Sequence, residues 1–185
     1  FRNLPVLRYR LQLAWLYLME DKAKMGLALL TPVRELPFRG WLLQAVLWRS
    51  LNEPAKALQS YAQAEKAALA AEDAAGLDHT FYTSYALAAE ISGQIDQALA
   101  LFRKAYQLSP DNPDACNGLG YTLADNRREL PFAAELIAKA VQADPDNVAF
   151  LDSLAWVRFR QQDFPGALEA MIRTLQLMQS GFDAD

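Results

Sequence analysis

His79 is the one histidine of the 185-residue chain and Cys116 its one cysteine. A zinc centre or a cysteine–histidine nucleophile is built from these residue types, but zinc takes several such ligands and a thiolate needs a base beside it. Either site would have to be completed by carboxylates. The chain is therefore expected to hold no catalytic residues, no metal and no cofactor, and not to be an enzyme. His79 is expected to start a helix near the surface, and Cys116 to fill a core position between packed helices. Asp111, Asp114, Asp144 and Asp146 raise the question of calcium. A twelve-residue calcium loop needs a glycine at its sharp turn and a bidentate glutamate at its end, and a loop starting at Asp144 would end on Ala155. These aspartates read as residues of helix starts instead. Gly118 and Gly120 make a lone Gly-x-Gly, too little for a phosphate loop, and Gly120 has a packing role of its own.

The elements that would position these residues are announced by a recurrence. "SPDNPDA" occupies 109–115 and "DPDNVAF" occupies 144–150, so the same Pro-Asp-Asn returns after 35 residues. A period of that size marks stacked structural units. Between the two stretches, apolar and small residues recur at helical spacing. Short breaks such as "SGQ" at 92–94 and "QQDFPG" at 161–166 divide each unit into two helices. No segment reads as a strand. Closely packed helices need small side chains where their axes approach. Ala14/Gly26, Ala45/Ala57, Ala86/Ala98, Gly120/Ala133 and Ala155/Ala167 supply such pairs in phase with the repeat. Asp78, Asn112 and Asn147 are expected to cap first helices, with Pro113 at the first helical position. Pro54, Pro131 and Pro165 fall in the first turn of second helices, where no N–H bond is lost.

Trp41-x2-Gln44-Ala45-x2-Trp48 followed by Ala57-x3-Tyr61, Ala98-x3-Phe102 ending in Pro110, and Cys116-x2-Leu119-Gly120 followed by Ala133-x3-Ile137 ending in Pro145 resemble tetratricopeptide repeats (TPRs). The resemblance implies an all-α, right-handed α-solenoid of about five helix-turn-helix repeats, forming a single domain over 1–185. The repeats are expected at roughly 7–37, 38–78, 79–112, 113–147 and 148–180. The first departs most from the pattern, with Arg10 where the family has an aromatic and Pro32 inside its second helix. In the second, "EKAALAAEDAAG" is expected to lengthen the second helix until Gly76 stops it. "NGLGYTLAD" followed by "LDSLAWV" is similar to a pattern of bacterial TPR proteins, among them outer-membrane lipoproteins that serve as adaptors. The implied compartment is bacterial, cytoplasmic or, preferred, periplasmic and outer-membrane-associated.

Charge and composition exclude other classes. Residues 1–76 carry roughly +3 and residues 77–185 roughly −7, summing to the net −4. Arg2, Arg8 and Arg10 form no basic stripe of the kind that tracks nucleic acid, so none is expected as a partner. The longest apolar run is about seven residues, against the ~20 that span a bilayer. The start at Phe1 suggests a fragment or a processed form.

Function is then expected to lie in shape, because TPR proteins bind peptides or partner helices on the concave face of their first helices. The family's groove positions fall on Leu11, Trp15, Arg39, Leu42, Val46, Arg49, Thr83, Leu87, Glu90, Asn117, Tyr121, Asp125, Asp152, Trp156, Phe159 and Arg160. The aliphatics Leu11, Leu42, Val46 and Leu87 are expected to pack between repeats. The candidates for partner contact are Arg39, Arg49, Glu90, Asn117, Tyr121, Asp125, Asp152, Trp156, Phe159 and Arg160. Of the cluster that grips a C-terminal carboxylate in chaperone-binding relatives only Asn117 is present, while Asp125 and Asp152 have the wrong sign. The leading expectation is a non-enzymatic scaffold or adaptor for a peptide or helix of another protein. The alternative is a peptide-sensing regulatory domain or the TPR segment of a larger enzyme or regulator. The first helix, "LRYRLQLAWLYLM", is apolar for most of its circumference and no extra polar helix follows "TLQLMQSGFDAD", so at least one end is expected to be covered, by further sequence, self-association or a partner.

Overall fold

The computed structural model describes residues 4–182, with the side chains of 6–179; Arg2 lies outside the described residues. Among the described residues there are ten helices and no strand, and the chain divides into two compact units, 1–94 and 95–185. The division falls inside the expected 79–112 repeat.

The first unit holds α1 (Leu4–Met19), α2 (Ala23–Leu30), α3 (Phe38–Ser50), α4 (Pro54–Ala70) and α5 (His79–Ile91). Gly26 is needed on α2 because a Cβ there would stand 3.0 Å from the Ala14 carbonyl oxygen of α1. The small-pair rule thus describes a real backbone approach. Between α3, α4 and α5 the core turns aromatic. Tyr61 is fully buried and stacks on Tyr85 at 5.6 Å, with Phe81 edge-on at 5.8 Å. The Arg49 guanidinium donates to the Tyr61 hydroxyl, which satisfies a polar atom that burial would otherwise leave unpaired.

Tyr82 donates its hydroxyl to the Glu65 carboxylate at 2.9 Å. Burial first, and then this bond and the negative charge of Glu65, push its pKa up to about 12. The unfolded phenol titrates near ~10, so the folded state holds this proton more tightly. The resulting stability is fully present below pH ~10 and is lost as pH rises through about 12. A phenolate absorbance titration should show a late-titrating component that is lost in Tyr82→Phe.

The second unit holds α6 (Ile95–Leu108), α7 (Pro113–Asp125), α8 (Leu130–Ala143), α9 (Val148–Arg160) and α10 (Phe164–Phe182). Phe102, Leu119, Leu123 and Ile137 are wholly buried in it. Gly120 lets α7 approach α8, since a Cβ would meet the Ala133 carbonyl oxygen at 3.0 Å. Gly118, given no packing role from sequence, lies under the Phe102 ring, 2.5 Å from where its Cβ would be.

The expected caps are in place. The side chains of Asp78, Asn112 and Asn147 accept from backbone N–H groups of the first turns of α5, α7 and α9. One boundary differs from expectation. The segment "EKAALAAEDAAG" does lengthen α4, but the helix stops at Ala70 and not at Gly76. Glu72 takes the left-handed conformation at φ 53° and ends it. Gly76 serves a distant contact instead, because a Cβ there would overlap the Phe38 ring at 2.3 Å.

The same corner recurs throughout. Asp21, Asn52, Gly93, Arg127 and Gln162, like Glu72, each stand two residues past a helix end with φ between 53° and 74°. At Asn52 the N–H donates to the Arg49 carbonyl and the next N–H to the Trp48 carbonyl. Gly93 and Gln94, Arg127 and Arg128, and Gln162 and Asp163 repeat this pair of bonds. It is the Schellman arrangement, in which backbone alone satisfies the last carbonyls of a helix.

Apolar side chains remain exposed on α1, including Val6, Tyr9, Leu16 and Met19, and on α10, including Leu168, Ile172, Leu175 and Met178.

Candidate functional site

The caps at Asn112 and Asn147 fix where α7 and α9 begin, and so which side chains share a face. Asn117, Tyr121 and Asp125 recur every four residues along α7, and Asp152, Trp156 and Arg160 do so along α9. The structure brings these two rows together. Arg160 donates to the Asp125 carboxylate at 3.0 Å and to the Asp125 carbonyl at 2.8 Å, tying the helix ends. Its guanidinium lies 4.3 Å from the centre of the Trp156 ring. Trp156 stacks on Phe159 at 5.6 Å, and Phe159 meets Phe164 of α10 edge-on at 5.8 Å.

Beside this aromatic row is an open pocket of about 450 Å³. Tyr121, Asp152, Trp156 and Phe159 line it, together with Phe164, Leu168 and Met171 from α10. Tyr121 is 36% exposed and Phe159 47%, whereas Trp156 is half-buried. Trp156 lines the pocket with its Nε1 edge buried. Trp156 Nε1, Arg160 Nε and Asn117 Oδ1 are buried with no hydrogen-bond partner among the described residues. Buried polar atoms are rarely left so, and a bound group can supply what they lack. Asp125 and Arg160 are spent on each other, while Asp152 is exposed at the pocket without an ion-pair partner among the described residues. Sequence reasoning missed Phe164, Leu168 and Met171. Their spacing is visible on α10, but the groove positions considered all fall on first helices.

In the first unit, Leu11 and Trp15 of α1 face Arg39, Leu42 and Val46 of α3 across a cleft of about 1160 Å³. Leu11, Leu42 and Val46 are half-buried in its wall, and Trp15 is 52% exposed. Arg49 is not part of this cleft and is turned to Tyr61. On α5, Glu90 is half-buried, Thr83 Oγ1 is buried without a hydrogen-bond partner among the described residues, and Leu87, expected to pack between repeats, is 37% exposed.

The residues considered for chemistry have other work. Cys116 is fully buried, its thiol donates to the Pro110 carbonyl at 3.3 Å, and burial pushes its pKa up, away from the thiolate that attacks or ligates. His79 opens α5 and is half-buried. Asp111 pairs with Lys139 at 2.6 Å and Asp146 with Arg173 at 2.9 Å. No helix among the described residues is long and apolar enough to cross a membrane.

Comparisons with known proteins agree with this architecture. Residues 91–126 match a family model described as TPR repeat. Over 67 residues the chain is 45% identical to a TPR repeat-containing protein of Pseudomonas aeruginosa. That stretch is 36% of this chain and 11% of the relative, so the chain spans about a tenth of the length of the curated relative it matches. Among solved structures, MamA of Desulfovibrio magneticus RS-1 has a TM-score of 0.80 at 16% identity, covering 94% of this chain and 96% of that one. YrrB, a TPR protein with an unusual peptide-binding site, has a TM-score of 0.75 at 15% identity, covering 91% and 84%. At these identities the likeness is one of fold, the all-α helix-pair solenoid.

Proposed function

We propose that the chain is a tetratricopeptide-repeat scaffold or adaptor, non-enzymatic, that binds a peptide or helix of a partner protein on faces lined by its first helices. The observation that carries this reading is the pocket of the second unit. It combines the exposed aromatic anchors Tyr121 and Phe159 with Trp156, whose Nε1 is buried with no hydrogen-bond partner among the described residues, and with the carboxylate of Asp152. Aromatic residues at a desolvated centre are what protein interfaces use as hot spots. Asp152 at the rim favours a ligand that is apolar with a basic group beside it. YrrB, of the same fold, is a peptide-binding protein by its description, which supports the mode of action without naming a ligand.

A photo-crosslinking residue in place of Tyr121 tests the proposal. It is expected to trap a discrete protein partner, while the same group at the exposed Glu135 of α8 does not. Equal labelling from both positions, together with turnover in a broad activity screen, would overturn the reading.

A further inference from the structure

We propose that the cleft between α1 and α3 is a second docking surface, built for an amphipathic helix whose apolar ridge is flanked by acidic residues. It is distinct from the aromatic pocket of the second unit, so each can fail without the other.

The wall of the cleft is almost wholly apolar. On α1, Leu7, Leu11 and Trp15 follow one another every four residues, and α3 offers Leu42, Leu43 and Val46 opposite them. Such a wall selects the conformation of what enters it. An extended peptide would bring its backbone N–H and C=O groups against side chains that cannot bond them, at a cost of roughly 1–3 kcal/mol for each group left unpaired. The backbone bonds of α1 and α3 are already used within those helices. A helical ligand satisfies its own backbone and presents only side chains, and an apolar ridge at i, i+3, i+4 and i+7 matches the row on α1.

Charge sets the flanks. Arg8 and Arg39 are the charged residues lining the cleft, both are exposed, and no carboxylate lines it. Neither has an ion-pair or hydrogen-bond partner among the described residues. In the second unit, by contrast, Arg103, Arg128, Arg158, Arg160, Arg173 and Lys139 each pair with a carboxylate. Two unpaired guanidiniums at the mouth of an apolar cleft complement carboxylates on either side of an apolar ridge, and Arg can hold each carboxylate through two parallel bonds.

The test uses the whole chain and two fluorescein-labelled synthetic helical peptides. They share one leucine ridge and carry either glutamate or lysine at every flanking position. Anisotropy titrations at low salt should show the glutamate peptide binding at least about tenfold more tightly, with the gap narrowing as salt is raised. In an Arg8→Glu/Arg39→Glu variant, whose fold is checked by circular dichroism, the preference should invert in favour of the lysine peptide. Leu42→Ala should weaken both peptides alike. Equal affinities, or a preference that survives the double reversal, would overturn the acidic-helix assignment while leaving the scaffold reading intact. If neither peptide binds, the cleft is not a helix-docking surface and the proposal falls. If sedimentation shows self-association that Leu42→Ala abolishes and the glutamate peptide does not displace, the occupant is a second copy, and the proposal again falls.

Discussion

Phe102→Ala is expected to lower stability by about 3–5 kcal/mol, read as a shift in the midpoint of urea unfolding followed by circular dichroism. Three observations set that magnitude. The ring is fully buried. It lies over the backbone of α7 at Gly118, close enough that a Cβ there would be 2.5 Å from the ring. The neighbour nearest the void would therefore be a residue with no side chain to collapse into it, which places the cost toward the upper end. The same contact makes a second, opposite expectation. Gly118→Ala alone forces the Phe102 ring to move and should cost about 1–3 kcal/mol. In the Phe102→Ala background the new methyl enters vacant space, so its cost should vanish or change sign. A double-mutant cycle measures this coupling. Additive effects would show that the ring does not rest on Gly118.

Trp156→Ala comes next in size and separates two roles. A wholly buried tryptophan would cost about 3–5 kcal/mol on truncation, but this one is half-buried. Its stack on Phe159 is worth about 0.5–1.5 kcal/mol. The Arg160 guanidinium over its ring adds about 0.5–1 kcal/mol. Arg160 keeps its bonds to Asp125 when the ring goes, so the tie between α7 and α9 survives. The expected loss of stability is about 1–3 kcal/mol with helical content unchanged, and the expected loss of partner binding in the pocket is about 2 kcal/mol or more. Trp156→Phe keeps an aromatic face for Phe159 and Arg160 but removes Nε1. It should recover most of the stability and only part of the binding. Full recovery of binding would mean that the unpaired Nε1 has no ligand to meet.

How far the sequence could be read depended on the range of the interaction behind each feature. Asp78, Asn112 and Asn147 cap within three residues of themselves, so local sequence was enough. The Gly26 and Gly120 approaches were legible because the repeat supplies the register of the facing helix. Gly76 was misread as a helix stop because its partner, the Phe38 ring, is 38 residues away in the chain and leaves no local trace. Glu72, which does end α4, carries no turn signature at all. The groove rows on α7 and α9 were legible from their four-residue spacing, but the pairing of Asp125 with Arg160 was not. Both had been given to a ligand, and each is largely consumed by the other. Phe164, Leu168 and Met171 were overlooked because a second helix usually buries such a ridge. Here the ridge lines a pocket.

The corners of the helix pairs bear on how such a chain can diverge. Aspartate, asparagine, glycine, arginine and glutamine occupy the equivalent position in the five turns that join first to second helices, all with the same handed backbone. The two bonds that close each corner run from main chain to main chain, so no particular side-chain bond is needed there, and the left-handed φ excludes chiefly the β-branched residues. A lineage can overwrite these positions with little effect on the angle between helices, and selection on shape need watch only the few small residues where axes touch. That economy is consistent with the TM-score of 0.80 to MamA at only 16% identity. The shape of this architecture asks for few fixed residues.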